Sequence, residues 1–199
     1  MSTARPLRLG LYVFDGADEL DLIGPYTVLT RWAESAASRP DVVTFSDDGA
    51  GVRLAGGLLM VPDVAGGDTG PLHVLIYPGG PGAQARMSNS KHLSWVRDQR
   101  ASVPLMVGVS TGALVLAAAG LLAGRPCTTH PGSIDLLATT EPSALVDTRA
   151  RFVDDGDIIT TAGSVAGLDA ALRLVARLDS RAVADQTARA LDYQPVPSW

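Results

Sequence analysis

The segment from residue 104 to residue 120 constrains the fold of this chain more than any other feature of its sequence. Its first part is a short apolar run rich in β-branched residues, which is typical of a buried strand, and its last part is an Ala/Leu-rich run typical of a buried helix. Between the two runs, Gly108, Ser110 and Gly112 form a G-x-S-x-G pattern. The sequence therefore predicts a sharp strand-to-helix turn at Ser110.

A turn of this kind has two interpretations. Glycines at this spacing allow Ser110 to take a strained backbone conformation that holds its side chain out at the carboxyl edge of a sheet. Peptide N–H groups in the first turn of the helix would then face a developing negative charge. An ordinary turn, in which small residues only let the helix and strand pack closely, explains the same pattern. The pattern thus predicts either a nucleophile site or a packing turn.

The rest of the chain alternates strand-like and helix-like patterns with short breaks between them. The predicted strands cover residues 7–14, 41–45, 72–77, 151–153 and 157–161 and the run before Ser110, with a β-hairpin or meander at 51–62. The predicted helices cover residues 20–32, 94–100, 133–138, 163–178 and 180–191 and the run after Gly112, and Gly24-Pro25 is expected to kink or restart the first. This alternation predicts one α/β domain over residues 1–199, a three-layer sandwich with a mostly parallel sheet, helices on both faces and a ligand site at the carboxyl ends of the strands.

Composition limits the partners of such a domain. The 199 residues are 46% hydrophobic and carry a formal net charge of −5, which gives no electrostatic reason to bind nucleic acid or an anionic membrane and suits a small neutral ligand. The lone cysteine, Cys127, cannot form an intrachain disulfide, which fits a reducing compartment. The longest apolar run, residues 113–123, is much shorter than the roughly 20 residues that span a bilayer. We therefore expect a soluble, cytoplasmic protein.

The chain order excludes several familiar catalytic arrangements around Ser110. An α/β-hydrolase triad needs an acid and then a histidine after the serine, but only His130 follows Ser110 and no Asp or Glu lies between them. The next residue is Thr111, so an adjacent nucleophile–histidine pair is also absent. No histidine pair has the spacing of metal ligands, and we expect neither a metal nor a cofactor. A carboxylate from elsewhere in the fold is left as the partner for proton transfer.

Six segments, in this order along the chain, resemble the DJ-1/PfpI superfamily, which has a flavodoxin-like, class I glutamine amidotransferase-like fold. They are Leu-Asp-Leu-Ile-Gly-Pro at 20–25, Tyr-Pro-Gly-Gly-Pro-Gly at 77–82, Val-Ser-Thr-Gly-Ala-Leu-Val-Leu at 109–116, Ala-Ala-Gly-Leu-Leu at 118–122, Thr-Thr-His at 128–130 and Thr-Ala-Gly-Ser-Val-Ala-Gly-Leu-Asp at 161–169. Nearly the whole chain is similar to the isonitrile hydratase-like branch. That branch also resembles the sensor-like domain of some AraC-type regulators, which add a helix-turn-helix domain. Because the sequence ends at Trp199, with no room for such a domain, we do not expect DNA binding.

The resemblance implies a chemistry for the turn at Ser110. It implies a nucleophile elbow there, an acid at Asp21, and an oxyanion or substrate-binding site at Gly79, Gly80 and Thr111, in which Gly80 and Thr111 supply backbone donors. Members of the isonitrile hydratase group add water to an isonitrile to give an N-substituted formamide, without a cofactor. The resemblance also implies that this protein forms a homodimer. They use a cysteine in the elbow, where this chain has serine. The alternative is a binding or sensor protein of the same fold that has lost catalysis.

Asp21 is the residue on which catalysis without a thiol would depend. A serine hydroxyl needs a base beside it, whereas a cysteine is already a few per cent thiolate near neutral pH. Leu20, Leu22 and Ile23 surround Asp21 with apolar side chains, which predicts a raised pKa and a carboxyl able to exchange a proton with substrate or water. The alternative is a solvated acid in the first turn of a helix, where its charge opposes the helix dipole.

The remaining candidates have simpler interpretations. We expect His130 to be a hydrogen-bonded loop anchor near the elbow, with substrate contact as the alternative. Thr129 either orients the elbow or forms turn hydrogen bonds, and Cys127 is expected to be an inert thiol. Packing or a dimer contact is the expected role of the small residues Gly163, Ser164 and Gly167, with substrate contact as the alternative. Trp32, Trp95 and Trp199 are predicted to be packing or interface residues rather than a stacking platform.

Overall fold

A seven-stranded sheet forms the centre of the fold in a computed structural model that describes residues 7–196. The strands are β1 (Arg8–Tyr12), β2 (Asp41–Ser46), β3 (Val52–Arg53), β4 (Leu59–Met60), β5 (Val64–Ala65), β6 (Val74–Tyr77), β7 (Leu105–Gly108), β8 (Pro126–Cys127), β9 (Leu145–Val146), β10 (Phe152–Asp154) and β11 (Ile158–Thr161). The helices are α1 (Glu19–Ser35), α2 (Pro81–Met87), α3 (Ser90–Ser102), α4 (Gly112–Ala118), α5 (Ile134–Thr140), α6 (Ala166–Leu178) and α7 (Arg181–Ala190). Two short 3₁₀ turns lie at Gly66–Asp68 and Pro131–Ser133.

The sheet has the strand order β10-β11-β7-β6-β1-β2-β5. All its pairs are parallel except β10 with β11, which is antiparallel at one edge. Every residue of β6, β7 and β11 is buried, as expected for parallel strands that are covered on both faces. The predicted α/β sandwich with a mostly parallel sheet is therefore confirmed.

The helices form two packed groups, one on each side of the sheet. Helices α1, α6 and α7 contact one another, while α2, α3, α4 and α5 form the second group. In helix α6, small and apolar side chains recur at helical spacing and face the sheet. This amphipathic pattern favours a helix that packs on the sheet. The sheet is therefore the middle of three layers.

Helix α1 differs from its prediction at Gly24-Pro25. The structure has one helix that continues through Pro25 to Ser35, so the predicted restart does not occur. Pro25 has no N–H with which to continue the helical hydrogen bonds, but its ring packs against Gly167 of α6, where a Cβ would lie 3.3 Å from the proline ring. Tertiary packing of α1 on α6 stabilises the helix across a residue that would weaken it in isolation.

Short elements are the other difference between sequence and structure. The hairpin at 51–62 is confirmed, since β3 and β4 pair antiparallel. Helix α2, strand β5 and the two-stranded parallel ribbon of β8 and β9 were not predicted, because two to seven residues are too few to show a clear period. The tail residues 197–199, with Trp199, lie outside the described residues.

The topology brings three loops to one edge of the sheet. Strands β1, β6 and β7 are neighbours and parallel, so the connections that follow them all emerge at the same carboxyl edge. These connections carry Asp21, Gly79 with Gly80, and Ser110, in that order along the chain. Among residues 7–196 no helix is both long and apolar enough to cross a membrane.

Candidate active site

The elbow at Ser110 has the strained geometry that the sequence predicts. Ser110 has a φ of 55°, in the left-handed region that few non-glycine residues enter. A Cβ on Gly112 would lie 2.3 Å from the Tyr77 carbonyl oxygen, and one on Gly108 would lie 2.9 Å from the Leu116 side chain. The helix α4 can therefore approach the strands closely only because these two positions are glycine. This strained conformation is the one that the nucleophile-site interpretation of the turn requires.

Two threonines hold the Ser110 peptide from both sides. The Ser110 N–H donates to Thr161 Oγ1 at 3.0 Å, and Thr129 Oγ1 donates to the Ser110 carbonyl oxygen at 2.9 Å. Both threonines are buried, so water does not compete for these hydrogen bonds. Ser110 Oγ itself makes no hydrogen bond with any residue from 7 to 196, and the residue is 5% exposed. The backbone of the elbow is fixed while the hydroxyl is left unengaged.

Asp21 is buried completely, in the first turn of α1. Its position follows from the N-cap Asp18, whose side chain accepts the Leu20 and Asp21 N–H groups and begins the helix there. One carboxyl oxygen, Oδ2, accepts the Gly79 N–H at 2.9 Å. The other, Oδ1, is buried without a hydrogen-bond partner among the described residues. The interpretation of Asp21 as a solvated surface acid is therefore wrong.

Burial changes the acidity of Asp21. Removal of the carboxyl from water raises the pKa of Asp21 from 3.8 to about 7, and the nearby charge of Asp18 acts in the same direction. The Ser164 side chain and the Gly79 N–H lower the pKa of Asp21, but burial outweighs both. Ser164 is close to the carboxyl without forming a hydrogen bond to Oδ1. Near neutral pH, Asp21 exists as a mixture of acid and carboxylate, which is the condition for moving a proton in either direction.

Gly79 connects Asp21 to the elbow. The position that a Gly79 Cβ would occupy is 2.7 Å from Asp21 Oδ2, 2.4 Å from Thr111 Oγ1 and 2.6 Å from the Thr111 nitrogen. No side chain fits there, and the acid and the Thr111 hydroxyl meet across the bare glycine. Asp21, Gly79 and Thr111 therefore form one contact group, with Ser110 as the next residue in the chain.

The structure changes the expected role of the Gly80 N–H. Gly80, whose φ is 116°, directs this N–H onto Thr111 Oγ1 at 2.8 Å, so the expected oxyanion donor is already engaged. The Thr111 hydroxyl accepts this bond and keeps its own hydrogen free to donate. The Thr111 N–H has no acceptor among residues 7–196. Thr111, which is half-buried, thus offers two donors beside Asp21, and the contribution of Gly80 is to orient its hydroxyl.

His130 and Cys127 lie near the elbow in sequence and have structural contacts. The His130 side chain is exposed, and its Nδ1 accepts the Gly132 N–H at 3.1 Å, which is the loop hydrogen bond that the sequence predicts. Contact of His130 with substrate remains a prediction. Cys127 is buried, and burial raises the pKa of its thiol to about 11, so the thiolate is scarce at neutral pH. Within residues 7–196 no cluster of three His, Cys, Asp or Glu side chains could hold a metal ion.

Thr161 and Ser164 have roles at the site that the sequence did not predict. Thr161 ends β11 and reaches Ser110 across 51 residues of sequence, which no local pattern reveals. The sequence holds one weak signal of this contact, since two adjacent threonines end the otherwise apolar strand β11. In the sheet, the first of them, Thr160, pairs with Gly108 of β7. Ser164 was expected to serve packing or a dimer contact, whereas its side chain affects the acidity of Asp21.

Comparisons with known proteins agree with this fold. The DJ-1/PfpI family model matches residues 8–177. The isonitrile hydratase of Pseudomonas putida is 36% identical over 195 residues, which are 97% of this chain and 81% of that protein. A ThiJ/PfpI family protein from Pseudomonas syringae, with 31% identity, superposes with a TM-score of 0.85 over 98% of this chain and 78% of that one. The transcriptional regulator GbdR of Pseudomonas aeruginosa is 30% identical over 154 residues, so the match spans 77% of this chain and only 41% of the regulator.

Proposed function

Because this chain belongs to the DJ-1/PfpI family, we propose that it is an isonitrile hydratase-like enzyme, which adds water to an isonitrile and releases an N-substituted formamide. The observation that carries the proposal is the buried carboxyl of Asp21, which has one unpartnered oxygen and a pKa of about 7. A fully buried carboxyl with one oxygen unpartnered is costly in a structural role, and it is useful where a proton must be transferred.

The proposed reaction uses residues that the fold brings to one sheet edge. The Ser110 oxygen, or a water beside it, adds to the terminal carbon of the isonitrile while Asp21 delivers a proton to the same carbon. If Ser110 attacks, the product is an imidate on its oxygen, and the hydroxyl proton returns to Asp21. Water then adds to the imidate carbon and displaces Ser110; one proton of the water goes to the nitrogen and the other to the Ser110 oxygen, and the formamide leaves. The Thr111 hydroxyl and N–H stabilise negative charge on the substrate during both steps.

A binding or sensor protein is the second candidate. The observation in its favour is the Ser110 hydroxyl, which has no hydrogen-bonded base among the described residues. One of the related proteins is a transcriptional regulator, GbdR, although the match covers less than half of it. The two candidates differ in their need for proton transfer. A binding protein would keep its ligand affinity when Asp21 is replaced by asparagine, and an enzyme would lose turnover.

Formamide production from a simple alkyl isonitrile tests the proposal directly, with the protein compared with its Ser110→Cys variant. We expect slow turnover by the protein itself and a rate higher by about an order of magnitude in the variant, because a thiol supplies some thiolate at neutral pH. The product is quantified by gas chromatography or NMR. Turnover only in the variant would indicate an isonitrile site that has lost its nucleophile. No formamide from either protein would contradict the proposed substrate.

We also propose that the protein forms a homodimer through the apolar face of α1. Leu20, Ile23 and Tyr26 are about 40% exposed on one side of this helix. Leu59 and Val61 of the nearby hairpin are more exposed still, at 65% and 79%. Glu19 joins the two elements, since its carboxylate accepts the Gly56 N–H at 2.8 Å. Exposed apolar side chains grouped in this way mark an interaction surface.

Introducing a charge into this face should separate the dimer. We expect Ile23→Lys to sediment as a monomer at concentrations at which the unchanged protein is dimeric, because the lysine charge would lose its hydration in the interface. The matched control is Leu136→Lys, which places the same charge on the exposed apolar side of α5 in the other helix layer. Sedimentation velocity measures both variants. A monomeric unchanged protein, or equal effects of the two substitutions, would contradict the assignment.

A further inference from the structure

We propose that the protein has a second binding site, for a small planar aromatic anion, in a groove on the opposite helix layer from α1. The groove has a volume of about 640 Å³, which is ample for such a ligand, and lies between the ends of β2 and β5 and the helices α2 and α3. Its main lining residues are Phe45, Asp47, Arg86, Lys91, His92 and Trp95. None of the candidate catalytic residues lines it, so this inference is independent of the proposed reaction.

Stacked aromatic rings form one wall of the groove. The Trp95 ring lies 5.2 Å from the His92 ring at an interplanar angle of 30° and 4.8 Å from the Tyr12 ring. The Tyr77 hydroxyl and His92 Nε2 are 2.6 Å apart, which fixes the imidazole. Burial and the neighbouring Arg86 charge lower the pKa of His92 to about 4, so the ring is neutral at neutral pH. Trp95 is half-buried, and a flat ligand can extend this stack into the groove.

The Arg86 guanidinium is the charged group at this wall. It lies 4.5 Å from the centre of the Phe14 ring and 5.4 Å from that of Tyr12, and its side chain is 20% exposed. Its Nη1 forms an ion pair with Asp47 at 3.7 Å, and Asp47 Oδ1 also accepts the Tyr12 hydroxyl at 2.6 Å. The same Nη1 lies 3.5 Å from His92 Nδ1. Among the described residues no hydrogen bond or ion pair engages Arg86 Nη2 or Nε, so a carboxylate can bind at that edge of the guanidinium.

The charge balance of the groove favours an anion. Lys91, the single lysine of the chain, is exposed at the rim beside Arg86, so the lining carries two cations and one carboxylate, Asp47. This local excess of one positive charge occurs in a chain with a net charge of −5. Arg86 and Trp95 are brought together by the packing of α2 and α3, so their proximity is not a feature of the local sequence. An aromatic ring with one negative group matches both the stack and the open guanidinium.

A pair of probes that differ only in charge tests the site. We would titrate the isotope-labelled protein with 2-naphthoate and with 2-naphthamide, and follow the three tryptophan indole N–H signals by NMR. We expect 2-naphthoate to shift the Trp95 signal saturably in the millimolar range or below, with an affinity about tenfold higher than that of the amide, as one charge-assisted hydrogen-bonded pair provides. The Trp32 signal is the internal reference, since the Trp32 ring is buried on the α1 side, where its Nε1 donates to Asp179.

Variants that each remove one positive charge test whether 2-naphthoate binds in the groove. We expect Arg86→Gln to weaken 2-naphthoate binding about tenfold and Lys91→Gln to weaken it about threefold. Both variants should leave 2-naphthamide binding nearly unchanged. Arg97→Gln is the matched control, because Arg97 is exposed on α3 and does not line the groove. Lys91→Gln decides the result if the Arg86 variant does not fold. Equal binding of the two probes, no saturable shift, or an equal effect of Arg97→Gln would overturn the proposal.

Discussion

Replacing Asp21 with asparagine is expected to reduce formamide formation by about 10²–10⁴-fold, the range that a positioned acid–base group contributes. The asparagine amide has nearly the shape of the carboxyl, and its oxygen can still accept the Gly79 N–H that Asp21 Oδ2 accepts at 2.9 Å. The variant therefore keeps the fold of the site and loses only the ability to transfer a proton. Single-turnover and steady-state assays with an alkyl isonitrile measure the loss.

Two further variants make this result specific. Asp18→Asn removes the neighbouring carboxylate at the start of α1, and asparagine caps a helix about as well as aspartate, so turnover should change little. Ser110→Ala distinguishes the two versions of the attack, because it abolishes a covalent route and only weakens one in which the serine holds a water. Unchanged turnover in Asp21→Asn would remove the proposed role of this acid. Preserved affinity for an isonitrile together with no turnover in any variant would favour the binding protein.

The same buried acid should make the stability of the protein fall as the pH rises from about 4 to about 7. The unfolded chain releases the Asp21 proton near pH 4, whereas the folded protein holds it until about pH 7, so the folded state binds more protons across this interval. Stability due to the protonated carboxyl is fully present below pH 4 and is lost as the pH rises through 7. A shift of about three pKa units corresponds to roughly 4 kcal/mol in the free energy of unfolding.

Denaturant unfolding at several pH values measures this contribution by difference. The free energy of unfolding of Asp21→Asn, minus that of the unchanged protein, should increase by roughly 4 kcal/mol between pH 4 and pH 8. Subtraction removes the contributions of other carboxylates, such as Asp157, whose pKa is lowered to about 2 by Arg125 and Arg100. Asp18→Asn is again the control, and its difference should change much less with pH, because the Asp18 charge raises the pKa of Asp21 less than burial does. A constant difference for Asp21→Asn would mean that the carboxyl is not titrating as a buried group.

These two results concern different properties of one residue. A general acid must be protonated part of the time at the working pH, and burial achieves this at the expense of stability above pH 7. The orphaned Oδ1 is the structural sign of that cost. If both predictions hold, the protein retains a destabilising carboxyl because its chemistry requires one. If only the stability prediction holds, the buried acid remains in a site that binds without reacting.

Local sequence was sufficient to predict the alternation of strands and helices, the elbow at Ser110 and the position of Asp21 at the start of a helix. Each of these depends on neighbours within about ten residues, as in the G-x-S-x-G pattern, so a short stretch of sequence contains the information. The likeness to the DJ-1/PfpI family was visible for the same reason, because its motifs are short and contiguous.

The long-range contacts between these segments could be seen only in the tertiary structure. The engagement of the Gly80 N–H by Thr111 and the clamp of Thr161 on Ser110 join residues 31 and 51 positions apart, and the unpartnered Asp21 oxygen depends on complete burial. The continuation of α1 through Pro25 follows from packing against α6 and contradicts the local rule. Burial and long-range hydrogen bonds depend on the whole chain at once, and for that reason a local pattern can place an acid near a site without fixing its pKa.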